Sequence, residues 1–193
     1  MAQEIEYTAS FGWIGIVPVR PFFSFSGDLF LQKSTMSDII IRPALESDIP
    51  RLEDLLYQVH GLHAEGRPDL FIPGCKKYTA DQLRKILSDT ENTPIFAAFL
   101  DGNLVGYCFC IRQVQTAASM QKISTLYIDD LCVDAAMRGR GIGKVLYDYA
   151  VSYAKDKGYY NLTLNVWACN PSAMRFYEKC GLAVQKVGME LVL

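Results

Sequence analysis

Between Arg138 and Lys144 the chain reads Arg-Gly-Arg-Gly-Ile-Gly-Lys, and this run narrows the choice of fold more than any other stretch. Three glycines at alternate positions permit backbone conformations that side chains forbid, so the run cannot continue a strand. Ahead of it, Leu126 to Val133 is apolar and β-branched and reads as a buried strand. Behind it, Val145, Leu146, Tyr149, Ala150 and Tyr153 recur at helical spacing. Strand, glycine turn and helix in this order aim free backbone N–H groups, at the positive end of a helix dipole, toward one spot. Arg138, Arg140 and Lys144 add charge there, and the spot suits a phosphate group.

Two familiar phosphate loops do not fit. A loop of the form GxxxxGK[ST] would need a glycine at Arg138 and a Ser or Thr at Val145. A dinucleotide fingerprint needs GxGxxG, whereas the spacing here is GxGxG, and no acidic ribose clamp closes a second strand. The pattern [Q/R]xxGx[G/A] does fit, with Arg138, Gly141 and Gly143 on its marks.

The chain has 193 residues, enough for one ordinary domain with a sizeable core. Half of them are hydrophobic and 21% are charged, which argues against disorder. A net charge of -2 gives no reason to expect nucleic acid or an anionic membrane as a partner. Six cysteines form no CxxC pair and only two histidines are present, so no metal site is expected. Cys108, Cys110, Cys132 and Cys169 fall in predicted strands as small hydrophobes, consistent with reduced thiols in a cytoplasmic protein.

Residues 1–35 differ in character from the rest of the chain. Their apolar part is broken by Pro18, Arg20 and Pro21, too interrupted for a membrane span, and Glu4 and Glu6 stand where a secretory signal would be basic. The expectation is a non-domain extension over 1–35 and a domain over 36–193; the rival is a segment that packs its aromatics on the domain or a partner.

Within 36–193 the pattern predicts a strand over Ile39 to Ala44, then a helix capped by Ser47 and ending near His60 or Leu62. His60 and His63 are expected to be exposed or to face a substrate. Gly61 to Tyr78 should be mostly loop, with Arg67, Asp69, Phe71 and Tyr78 available to line an acceptor pocket. Thr79 caps a second helix with Leu83, Ile86 and Leu87 inward. Strands over Pro94 to Leu100, Asn103 to Gln113 and Ile123 to Asp134 make an antiparallel meander, the first pair joined by the Asp101-Gly102 hairpin. A helix to about Lys157 comes next, stopped by Gly158. The next strand, Asn161 to Ala168, should lie parallel to the one before it, because a strand-helix-strand crossover joins them. Asn170 then caps a helix that Pro171 opens and Gly181 ends. Leu182 to Val192 is expected to form a last strand.

The run Asn170-Pro171-Ser172-Ala173-Met174-Arg175-Phe176-Tyr177-Glu178-Lys179-Cys180-Gly181, one strand after the glycine turn, closely resembles the closing motif of the GNAT (Gcn5-related) N-acetyltransferases. The glycine turn is similar to their coenzyme A pyrophosphate loop. Order and spacing of both motifs match the family, and the resemblance covers about Ser37 to Leu193. It implies an α/β fold with a mixed, mostly antiparallel central sheet flanked by helices. That sheet would splay between the two parallel strands, with acetyl-CoA as co-substrate in the gap. The resemblance also implies that the backbone of Leu131, Cys132 and Val133 pairs with the pantetheine arm. Arg138, Gly139, Arg140, Gly141, Ile142, Gly143 and Lys144 would meet the pyrophosphate, and Asn170 the thioester region.

Acetyl transfer to an amine requires that an ammonium lose its proton, that an oxyanion find a donor, and that a thiolate leave. Tyr177 matches the family's general-acid tyrosine, and Phe176 beside it points about 100° away around the helix. The oxyanion donor would be the N–H of Cys132 or Val133. Asp129 and Asp130 are the candidate bases. Alternation sends them to opposite faces of a strand, so one of the two should serve. Resemblance to polyamine-acetylating members favours Asp129, while Asp130 shares a face with Cys132. Trp167 either walls the acceptor site or packs in the core. The reading is therefore an acetyl-CoA-dependent N-acetyltransferase acting by direct attack on a small cationic amine in a ternary complex. The alternatives are a protein or peptide acceptor and a non-catalytic acyl-CoA-binding module. A homodimer is compatible with the family.

Overall fold

The computed structural model describes residues 39–193; the expectations for residues 1–35 lie outside them. Five strands form one sheet in the order β1 to β5: β1 Ile40–Pro43, β2 Ile95–Leu100, β3 Asn103–Val114, β4 Ser124–Val133 and β5 Asn161–Leu164. The first four are antiparallel to their neighbours and β5 runs parallel to β4, as the crossover requires. Four helices flank the sheet: α1 Ile49–Gly66, α2 Ala80–Ser88, α3 Ile142–Asp156 and α4 Pro171–Lys179. Among the described residues no helix is long and apolar enough to cross a membrane.

Strand alternation builds two cores. Phe96, Ala98, Cys108, Cys110, Leu126 and Ile128 pack on one face against Ile142, Leu146 and Ala150 of α3. Ile95, Ala97, Leu104, Tyr107, Phe109 and Cys132 pack on the other against Leu52, Leu55 and Leu56 of α1 and Leu83 of α2. β2 is covered on both sides and so reads as a continuous apolar run. At the Asp101-Gly102 turn the φ angles are 51° and 79°, the left-handed pair that a two-residue hairpin needs.

Gly106 of β3 marks the tightest approach between the sheet and its neighbours. A Cβ there would lie 2.8 Å from the Cys132 carbonyl oxygen and 3.1 Å from Leu146 Cδ1. Gly106→Ala should therefore destabilise the fold by about 1–3 kcal/mol, because backbone cannot yield as a flexible side chain can. Urea unfolding of the variant measures this directly.

Four expectations need correction. Ser47 does not cap α1. Asp48 organises that entry, accepting from Arg42 at 2.8 and 3.0 Å and from the Leu45 N–H at 2.8 Å. α1 passes through Gly61 and continues to Gly66, because Ala64 of the added turn is buried. β5 stops at Leu164, leaving Cys169 exposed beyond it, and after α4 residues 183–193 are exposed and add no strand to the sheet.

Candidate active site

β5 pairs with β4 only over Thr125–Ile128. β4 continues through Asp129–Val133, still paired with β3, so its other edge faces a gap. That gap is the splay. Unpaired N–H and C=O groups on such an edge can accept an extended amide-bearing ligand as an added strand.

The chain leaves β4 through a pinned turn. The Asp134 N–H donates to Val105 O at 2.9 Å, and its carboxylate accepts the Ala136 N–H at 2.9 Å. That backbone hydrogen bond, with the Arg51 guanidinium, holds the Asp134 carboxyl below the usual carboxylate range. Arg138 then donates from Nε to Val133 O at 3.2 Å. Gly139 and Gly141 both have φ of 79°, a conformation L side chains resist. Gly141 is the N-cap residue of α3 and has no side chain to cap it, which leaves the helix's first amides open to an anion. Lys144 does not aim freely at that spot. Its ammonium is paired with Asp148 one turn on, at 2.6 Å.

At the upper end of the gap the two aspartates do not point to opposite faces. Phe109 pairs with Asp130 and Cys110 with Ile128, so Asp129 is an extra residue, a β-bulge. The bulge brings both carboxylates to the α1–α2 side of the sheet. Asp129 accepts from Tyr78 Oη at 2.7 Å and from Lys77 Nζ at 2.7 Å. Asp130 accepts from Tyr107 Oη at 3.0 Å. Tyr78 stacks on Phe109 at 5.7 Å, and Phe109 meets Tyr107 edge-on at 4.8 Å, so one aromatic group holds both partners. Burial pushes the Asp130 carboxyl up to about 6, with Lys77 and the Tyr107 hydroxyl opposing. Asp129 is thus committed to Lys77 and Tyr78, while Asp130 is the group poised to exchange a proton near neutrality.

Tyr177 approaches from the α3 side. Its ring contacts Phe176 at 5.0 Å and Tyr147 at 6.4 Å, while Phe176 lies against Gly143 of the phosphate turn. Burial raises the Tyr177 hydroxyl well above the ordinary range, helped by Cys108 and by the charge of Asp130. Asn170 caps α4, its Oδ1 accepting the Ala173 N–H at 3.1 Å and the Ser172 hydroxyl at 2.9 Å.

A wall of rings completes the site. Phe71 touches His60 at 5.7 Å, His63 at 5.2 Å and Trp167 at 5.4 Å, joining the end of α1 to the segment after β5. Trp167 belongs to this wall rather than the core and is exposed. Arg67 lies 5.9 Å over its ring and pairs with Asp69 and Glu190. Burial lowers the His63 imidazole, with His60 and Lys77 acting in the same direction. Lys77 and Tyr107 escape a sequence reading. A loop lysine and a strand tyrosine carry no motif, and only the bulge gives them their partners.

A splayed sheet with an uncapped glycine turn beneath it, a carboxylate on one side and a tyrosine on the other defines an acyltransferase-type cleft. The sequence pattern of the acetyltransferase (GNAT) family matches residues 56–182, and the chain belongs to that family. It is similar to the BH1408 protein of Bacillus halodurans, solved as a tetramutant, at 31% identity and a TM-score of 0.74, covering 80% of this chain and 99% of that one. Glucosamine 6-phosphate N-acetyltransferase 1 of Oryza sativa subsp. japonica is 38% identical over 65 residues, which are 34% of this chain and 38% of that protein. The chain thus spans well under half the length of that curated relative. The same fold occurs in an aminoglycoside N-acetyltransferase in complex with CoA, at 14% identity and a TM-score of 0.60, covering 84% of this chain and 99% of that one.

Proposed function

We propose that this chain transfers the acetyl group of acetyl-CoA to a primary amine by direct attack within a ternary complex. The observation that carries this reading is the bulge at Asp129. It holds a buried carboxyl with a pKa of about 6, bonded to the Tyr107 hydroxyl, in the part of β4 that β5 leaves unpaired. The residues suit the co-substrate: open amides at the start of α3 for the pyrophosphate, and the free edge of β4 over Leu131, Cys132 and Val133 for the pantetheine arm.

In this reading Asp130 takes the proton from the incoming ammonium, and the freed amine attacks the thioester carbon. The new C–N bond forms, and the N–H of Cys132 or Val133 donates to the oxyanion as charge develops. The C–S bond then breaks as Tyr177 gives its proton to the departing sulfur, and the second proton, lost from nitrogen as the amide forms, restores the Tyr177 hydroxyl. Asp129, held by Lys77 and Tyr78, positions the bulge and adds negative field. The acidic floor and the ring wall of Phe71 and Trp167 favour a small cationic amine, since aromatic faces and carboxylates both attract ammonium groups. Glucosamine 6-phosphate N-acetyltransferase 1, similar over 65 residues, is named for an amine on a sugar phosphate, so amino sugars belong in the acceptor panel.

The test is thiol release from acetyl-CoA across a panel of polyamines, aminoglycosides, amino sugars and lysine peptides. Release confined to small amines supports the reading, whereas release only with peptides replaces the acceptor class. Silence across the panel, with CoA still raising the melting temperature, would leave a binding module instead of an enzyme. Gly141→Ala should weaken CoA binding about tenfold, because a left-handed conformation costs a side chain about 1–2 kcal/mol. Isothermal titration with CoA measures it.

A further inference from the structure

The cleft already holds a primary ammonium, and it belongs to the chain. Lys77 lies between α1 and α2, outside any helix or strand. Its ammonium donates to Asp129 Oδ2 at 2.7 Å and to the Asp129 carbonyl oxygen at 3.3 Å. The Tyr78 ring centroid stands 5.4 Å from the same nitrogen. A carboxylate, a carbonyl and an aromatic face all hold ammonium ions, the first two as hydrogen-bond acceptors and the third through its π-electrons. Asp129 supplies the acceptors from the bulge, where β3 is paired but β5 has already ended. The charge of Lys77 also acts on the Asp130 carboxyl and on the His63 imidazole, which it lowers.

Neighbouring lysines are placed differently. Lys76, the residue before it, pairs with Glu53 of α1, and Lys144 pairs with Asp148 on α3. Among the described residues Lys77 is the one lysine whose ammonium bonds to β4. A flexible four-carbon stem on a loop carries its nitrogen, so the amine can advance along the cleft without moving a helix or a strand.

We propose that Lys77 is a self-modification site, its Nζ taking the acetyl group of acetyl-CoA bound to the same molecule. The proposal rests on the transfer reading above, because it uses the same base and the same acid. Asp130 takes one proton from the Lys77 ammonium, and the neutral nitrogen attacks the thioester carbon. The C–N bond forms, the C–S bond breaks, and Tyr177 gives its proton to the sulfur. The second proton, lost from nitrogen as the amide forms, restores the Tyr177 hydroxyl. Asp130 releases its proton to solvent, and the products are acetyl-lysine and free CoA. The new amide carries no charge, so Asp129 loses its ion-pair partner and meets the next ammonium, one from solution, with its carboxylate unclaimed.

The experiment incubates the full chain with acetyl-CoA and no acceptor, and follows its intact mass and its peptide fragments. A gain of one acetyl group is expected, on Lys77 and not on Lys76, at a rate per molecule independent of protein concentration. Lys77→Arg, which keeps the positive charge, should remove the gain. Asp130→Asn should slow it about 10²-fold or more, and Tyr177→Phe makes the same test should the first variant fail to fold. A CoA-induced rise in melting temperature shows which variants are folded. Equal labelling of Lys76 and Lys77, or labelling that proceeds unchanged in the folded variants, is chemical acetylation by the thioester and overturns the proposal. A rate per molecule that rises with protein concentration makes the label the work of a second copy and overturns it as well. The amine panel is run alongside. Transfer to a panel amine with Lys77 unmodified overturns this proposal alone, whereas silence in both removes the transfer reading with it.

Discussion

Asp130→Asn should lower kcat/KM about 10²- to 10⁴-fold, the usual contribution of a positioned acid-base group, while leaving CoA affinity unchanged. The pH profile distinguishes this from a merely structural loss. In the wild type the carboxyl must be deprotonated to accept the ammonium's proton. With its pKa near 6, kcat/KM should fall tenfold for each unit of acidification below that value. Above it, the rate should level until another group titrates. In the variant this acid limb should vanish, because an amide neither gains nor loses a proton in that range. Lys77, Asp129 and the Tyr107 hydroxyl surround the carboxyl, and His63 stands in the ring wall nearby. A limb that persists unchanged in Asp130→Asn would move the base to another group, with the nearby His63 imidazole, which burial lowers from its ordinary value, tested next.

Tyr177→Phe should cut kcat by about 10²- to 10⁴-fold with little change in the dissociation constant of CoA. The ring remains, so its packing on Phe176 and Tyr147 survives and the fold should hold. What is lost is a hydroxyl that burial keeps firmly protonated, and hence available as a donor at every working pH. A hydrogen bond to sulfur strengthens as negative charge gathers there, so the interaction belongs mainly to the transition state. The effect should shrink when the leaving thiol is made more acidic, as with an aryl thioester, because such a thiolate departs without help. A turnover rate equal to the wild type's would remove Tyr177 from the mechanism. A loss of equal size with both thioesters would assign it a packing role.

Much of this fold is legible in the residues because the signals are local. The glycine turn announces itself through positions that need left-handed backbone, and Asn170, Pro171 and Gly181 mark both ends of α4. Asp101-Gly102 specifies its hairpin, and Thr79 its helix. The features that escape a sequence reading depend on contacts between distant segments. Gly61 has the character of a helix breaker, yet α1 runs through it because tertiary burial of the next turn outweighs propensity. Ser47 offers a cap, but α1 starts after Asp48, whose carboxylate is held by Arg42 six residues away and by the Leu45 N–H instead of by the helix's own amides. The final segment carries a sound β pattern, and the single chain leaves it without a sheet to join. Alternation would place Asp129 and Asp130 on opposite faces, a rule that holds only while the register is unbroken. The break arises opposite Phe109 and Cys110 and leaves no mark in the local sequence.

That one-residue slip also gives β4 two phases. Leu126 and Ile128 face α3 by counting in even steps, and Leu131 and Val133 face it by counting in odd ones. Asp129 works as the escapement between the two counts. Removing either aspartate would rejoin the counts: Ile128, Leu131 and Val133 would face α3 in plain alternation, with the remaining aspartate and Cys132 on the other side, so the slip exists to hold two carboxylates where an unbroken strand holds one.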